Sequence, residues 1–215
     1  MIGSVARFFQ DGGFFMYVIL FVVMVGLAIA IERFVFLRNA ANRSKALWEQ
    51  VTKMVQKGEI DQALKASSES QAVIGNILTY GLHRVKAKEE RRNEIEIAME
   101  EGLMEVIPII ERRTHYLATL ANVAMLLGLL GTVAGLIEAF GAVAHAEPSQ
   151  KAELLSAAIA AGMNATAFGL GAAIPLMLVF SFLSSKTGAL VNQLEMASVK
   201  FLNLLSSAPA GREGV

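Results

Sequence analysis

Of 215 residues, 54% are hydrophobic and 18% charged, where a soluble domain carries about 25% charged residues. Lys plus Arg equals Asp plus Glu, 19 against 19, so no net basic field exists to attract nucleic acid. Cysteine is absent, which excludes disulfides, thiolate metal sites and cysteine nucleophiles, and His83, His115 and His145 are too scattered to suggest a zinc site.

The apolar excess is concentrated in three runs without Asp, Glu, Lys or Arg: Gly12 to Ile31, Thr114 to Ile137 and Leu154 to Ser185, of 20, 24 and 32 residues. A helix needs about 20 mostly apolar residues to cross a bilayer. The fold class expected is therefore all-α and integral to the membrane, with three transmembrane helices whose extensions build a cytoplasmic helical domain. In chain order the expected parts are a short extracytoplasmic N-terminus (1–12), a first span (13–36), a cytoplasmic domain (37–113), a second span (114–144), an extracytoplasmic loop (145–153), a third span (154–185) and a cytoplasmic C-terminal helix and tail (186–215).

The first run is bulky on all sides, from Phe14 and Phe15 through Phe21, Val22 and Val23, as suits a helix facing lipid. Ala28-Ile29-Ala30 resembles a small-residue cleavage site. The apolar stretch exceeds the about 7–15 residues of a signal peptide, however, and its positive charge follows it, so an uncleaved anchor is expected. Glu32 and Arg33, at its inner end, read as an interfacial ion pair.

The connection from Glu32 to Arg113 holds 14 basic residues, against Arg7 alone before the first span and Lys151 alone in the loop around His145 to Glu153. Basic residues gather on the cytoplasmic side, which places the N-terminus outside and the C-terminus inside. Within this connection Trp48, Val51, Met54 and Val55 recur at helical spacing before Gly58, a C-cap residue. Ile60, Ala63 and Leu64 open a second short helix ending near Ser67 to Ser70. The pattern is helical again from about Val73 to Glu111, bent near Pro108, and carries Glu94, Glu96, Glu100, Glu101 and Glu105. That acidic face is either solvated or meets a neighbouring subunit or partner.

The second and third runs are built from small residues. Gly128, Gly131, Thr132 and Gly135 fall at i, i+3, i+4 and i+7, and small residues dominate the third run: Ala157, Ala158, Ala160, Ala161, Gly162, Ala165, Ala167, Gly169, Gly171, Ala172 and Ala173. Such faces let helix backbones approach closely in lipid, and three spans offer few internal surfaces, so an oligomer or a partner helix is implied. Thr132 and Thr166 lie within these faces. Each hydroxyl either bonds back to its own helix or lines a polar path. Asn164 is about 200° around the helix from Thr166 and is expected to bond another helix, while Pro175 should free the carbonyl near Gly171. No carboxylate sits at the centre of a run. Glu138, six residues beyond Thr132, reads as an ion contact at the outer mouth or as a residue facing a partner. With no nucleophile, base and orienter at membrane depth, no enzyme is expected.

The strings Gly128-Leu129-Leu130-Gly131-Thr132-Val133-Ala134-Gly135-Leu136-Ile137 and Ala165-Thr166-Ala167-Phe168-Gly169-Leu170-Gly171-Ala172-Ala173-Ile174-Pro175 resemble the second- and third-span motifs of the MotA/TolQ/ExbB family. The three-span plan with one large cytoplasmic insertion resembles its ExbB and TolQ branch across nearly the whole chain. The resemblance implies a bacterial inner-membrane energy transducer: a pentamer of this chain around a dimer of a single-span ExbD/TolR-like partner that supplies a transmembrane Asp. By the same resemblance Thr132 and Thr166 match pore-lining threonines, the coupling ion is a proton or sodium, and no other cofactor is implied. ExbB and TolQ proteins often carry a Glu about five residues before the third-span Thr; Ala161 stands here, which keeps sodium open as the coupling ion. The expectation of a different class is a passive membrane scaffold that recruits partners through its charged cytoplasmic helices.

Overall fold

The computed structural model describes residues 13–87 and 92–207. The expected N-terminus at 1–12 and the last eight residues of the tail lie outside the described residues. Among the described residues six helices follow in order: α1 (Phe14–Gln56), α2 (Ile60–Ser68), α3 (Val73–Lys86), α4 (Arg92–Glu111), α5 (Thr114–His145) and α6 (Lys151–Ser207). Among the described residues there is no strand, and three helical stretches are long and apolar enough to cross a membrane. The fold is all-α, as composition required.

The chain divides into two compact units, one made of the chain up to Arg33 together with Arg113–Leu183, the other of Phe34–Arg112 and the chain from Ser184 onward. In the first unit, α5 buries Leu117, Ala121, Ala124, Gly128 and Gly131. These positions alternate in steps of four and three, the 3.5-residue period of a packed helix seam. α6 answers with Gly162, Ala165, Gly169, Ala172 and Leu176 in the same rhythm, all buried. α1 adds Met16, Ile19 and Val22, while its Phe14, Tyr17, Phe21 and Met24 stay exposed. The first span is thus bulky all round but not uniformly outward-facing: one of its faces closes over Ala124 and Ala172. At one end of this unit Glu32, the neighbour of Arg33 in the sequence, also forms an ion pair with Arg113 at the start of α5, at 3.4 Å.

In the second unit Gly58, at φ +78, ends α1 where a residue without Cβ is least strained, and α2 follows within the expected bounds. The run from Val73 to Glu111 is not one helix. It divides into α3 and α4, which pack against each other, and Gly102 makes the approach feasible: a Cβ there would lie 3.1 Å from the Cα of Ile77 and from the ring of Tyr80. α4 does not run unbroken into α5 either. Pro108 is accommodated inside α4, and the break comes at Arg113, whose φ of 67 is left-handed. The stripe after the third span packs as expected, with Leu190, Leu194 and Phe201 buried and Phe201 set edge-on to Trp48 at 6.4 Å.

Tyr80 donates a hydrogen bond to Glu105 at 2.9 Å, tying α3 to α4. That bond, followed by burial and the nearby carboxylates, holds the phenol above the usual tyrosine range. Folding therefore favours the protonated phenol. Its contribution is complete below the unfolded tyrosine value, about 10, and is lost as pH rises through the higher folded value. An ultraviolet titration of the folded protein should show a late-ionising component that Tyr80→Phe removes. A late-ionising component that persists in Tyr80→Phe would refute the bond.

Candidate functional site

The contacts of α5 and α6 run in opposite order along the two helices. A Cβ built on Gly169 would lie 2.7 Å from the carbonyl oxygen of Ala124 and 3.0 Å from the Cα of Gly128. One on Gly128 would meet the carbonyl oxygen of Ala165 at 3.0 Å, and one on Gly162 the Cα of Thr132 at 2.9 Å. The helices are antiparallel and touch backbone to backbone. Gly128, Gly162 and Gly169 are packing residues because any side chain there would strike main chain, which cannot rotate away.

A Cβ built on Gly131 would lie 2.8 Å from the Cβ of Ala165 and 3.3 Å from that of Phe15, so α1 takes part in closing this level of the unit. Gly135 has looser, ordinary contacts from 3.5 Å outward. Pro175 is exposed and sits inside an unbroken α6. Ala124 and Ala165 belong to the seam as fully as the glycines. Ala165 already stands among the small residues of the third run, while the signal for Ala124 is the alternation of four and three, which an inventory of glycines alone passes over.

Close approach is what brings the two threonines together. Thr132, on α5, directs its hydroxyl at the carbonyl oxygen of Gly162 on α6, 3.0 Å away. Thr166, on α6, donates to the carbonyl oxygen of Gly128 on α5 at 2.9 Å. The two hydroxyls also hydrogen-bond one another. The back-bond from Thr132 to its own helix is the longest of these contacts, 3.5 Å to Gly128. The hydroxyls therefore bridge the helices.

Each threonine has one proton, so two protons serve three contacts: hydroxyl to hydroxyl, Thr132 to Gly162 and Thr166 to Gly128. One hydroxyl must act as acceptor for the other, and the direction of the chain can reverse by rotating two hydroxyls. Each oxygen keeps lone-pair capacity toward a water or a cation, and both residues are half-buried. The arrangement is polar without being charged, so it can solvate a passing ion without holding it.

Glu138 is not part of this cluster. Six residues along a helix is about 600°, which turns it about 120° from Thr132; it is exposed, and no described residue pairs with it. Asn164 is half-buried and, against expectation, has no hydrogen-bond partner among the described residues. No group of three or more His, Cys, Asp or Glu suited to a metal ion occurs among the described residues.

The profile of the MotA/TolQ/ExbB proton channel family matches residues 69–196, which include both threonines and the whole glycine seam. The chain belongs to this family. Among its relatives is an ExbB homolog of Methanothermobacter thermautotrophicus, 29% identical over 90% of this chain and 68% of its own length. The biopolymer transport protein ExbB of Pseudomonas putida is 29% identical over 86% of this chain and 59% of its own length. The Tol-Pal system protein TolQ of Haemophilus influenzae is 37% identical over 43% of this chain and 40% of its own length. The matches thus span from about two fifths to about two thirds of these relatives. This MotA/TolQ/ExbB family member is a multi-pass membrane protein, and its family is one of channel subunits, not of a class of enzymes.

Proposed function

We propose that this chain forms the ion-conducting wall of an energy-transducing complex in a bacterial inner membrane, as a pentamer around a dimer of a single-span partner. The observation that carries the reading is the threonine pair, set in a wall of glycine and alanine with no Asp, Glu, Lys or Arg between Thr114 and Ile137 or between Leu154 and Ser185. An intramembrane charge usually marks an ion or proton path. If this wall conducts, the carboxylate that takes up and releases the ion has to come from another chain, here the partner's transmembrane Asp. Proton is the favoured coupling ion and sodium the alternative, because Ala161 replaces the wall carboxylate that could relay protons.

The bias of basic residues supports an N-terminus outside and a C-terminus inside. The work delivered is transport, the activity named for the ExbB relative, or envelope maintenance or motility. Glu138, exposed and unpaired, is suited to meet ions at the outer mouth or a residue of a partner.

Native mass spectrometry of the chain in mild detergent, alone and co-expressed with a single-span partner, tests the assembly. Five copies, gaining two of the partner, are expected. A monomer or dimer indifferent to the partner would sink the channel reading and favour a passive scaffold.

A further inference from the structure

The second unit carries two surfaces that fit each other but lie on different helices. On α4, Ile95, Ala98, Met99, Gly102, Val106 and Ile110 are buried, and the opposite face is exposed. At about 100° per residue, Ile97, Met104 and Pro108 align along the middle of that outer face, with Glu100 on one flank and Glu94, Glu101 and Glu105 on the other. Ile97 is 56% and Met104 71% exposed, a high value for large apolar side chains on a charged helix. Glu94, Glu100 and Glu101 have no ion-pair partner among the described residues.

Between α1, α3 and α6 the same unit holds an open groove of about 520 Å³, with Trp48, Ile74, Leu190 and Leu194 among its apolar lining and Lys45 and Lys200 as its charged residues. Both lysines are exposed, and neither has an ion-pair partner among the described residues. Ser44 also lines the groove. It is 94% buried by its 6% exposure, and its hydroxyl has no hydrogen-bond partner among the described residues. A buried hydroxyl without a partner is costly unless something arrives to accept or donate.

We propose that the outer face of α4 of one copy docks in this groove of a second copy. An apolar spine flanked by carboxylates meets an apolar trough flanked by ammonium groups, and Ser44 can donate to an arriving carboxylate. The complementarity of both hydrophobicity and sign selects the occupant. Because spine and groove are separate surfaces of one chain, the contact is head to tail. Each docked copy still offers one spine and one groove, so the interaction repeats, and it closes into a ring where the rotation between copies returns to the first. This inference rests on the oligomeric reading above and names the surfaces that would build it.

The absence of cysteine provides a clean background for cross-linking. Full-length chains carrying Met104→Cys, on the spine, and Met196→Cys, on the groove, are co-expressed with different tags and oxidised in membranes, while native mass spectrometry of the unmodified chain reports its assembly. A mixed cross-linked dimer is expected, with at least about tenfold less product from either variant alone. Glu100→Lys with Glu101→Lys on the spine chain should cut the mixed product several-fold, and Lys45→Glu with Lys200→Glu on the groove chain should restore it. An oligomer without the mixed product would overturn this docking and leave the oligomeric reading intact, whereas a monomer would overturn both. Met104→Cys cross-linking to itself, or a yield indifferent to charge reversal, would also overturn it.

Discussion

Gly169→Val should separate α5 from α6 and abolish the packed first unit, whereas Gly171→Ala, two residues away, should fold normally. A Cβ on Gly169 falls 2.7 Å from a carbonyl oxygen and 3.0 Å from a Cα of α5, both main-chain atoms. No rotamer change relieves that overlap; the helices have to move apart, and every contact along the seam lengthens with them. Overpacking costs about 1–3 kcal/mol, and valine adds two methyl groups to the clash. Around Gly171 nothing lies within 4 Å of a built Cβ. There alanine should be neutral or should stabilise by about 0.5–1 kcal/mol through helix propensity. Thermal loss of the helical circular dichroism signal in detergent checks both. Equal melting of the two variants would remove the glycine seam from the list of what holds this protein together.

Thr132→Val and Thr166→Val should each leave a folded oligomer that delivers no ion-driven work. Valine keeps the shape of threonine and removes the hydroxyl. The structural cost is small, because interhelical hydrogen bonds in membranes average about 0.6 kcal/mol and reach about 1.7. The functional cost is larger if the hydroxyls replace water around a passing ion, because valine offers no lone pair at that point. Ion uptake into vesicles holding the complex with its partner should fall at least about tenfold for either valine variant and be largely kept by Thr132→Ser. The double variant should be no worse than the singles, since the two hydroxyls work as one chain of hydrogen bonds. Normal uptake by both valine variants would exclude the pair from the ion path and leave it a structural clasp.

The membrane spans and the glycine and threonine positions were legible in the sequence because each rests on a property of single residues: absence of charge over a long run, or absence of a side chain at a regular interval. The breaks around α4 were not. Lys86 and Ala87 carry no glycine or proline signal, and the left-handed residue between α4 and α5 is Arg113, where glycine or asparagine is the usual choice. Pro108, the residue that looked like the bend, sits within α4, its carbonyl accepting from Arg112 at 3.0 Å. The buried face of α1 was hidden for a related reason. When every position is bulky, size does not say which face is inside, and Met16, Ile19 and Val22 are selected by what α5 and α6 place opposite them. Asn164 shows the limit from the other side: its residue type announced a hydrogen bond, but no described residue supplies the partner.

Trp48 is the protein's sole tryptophan, and it belongs to the second unit, against Phe201. Its emission is therefore a private optical signal from that unit, while circular dichroism sums the helices of both. A substitution at Gly169 acts on a seam that contains no tryptophan. The gap between the dichroism and fluorescence melting curves of such a variant then measures how far the two halves of this protein melt as one.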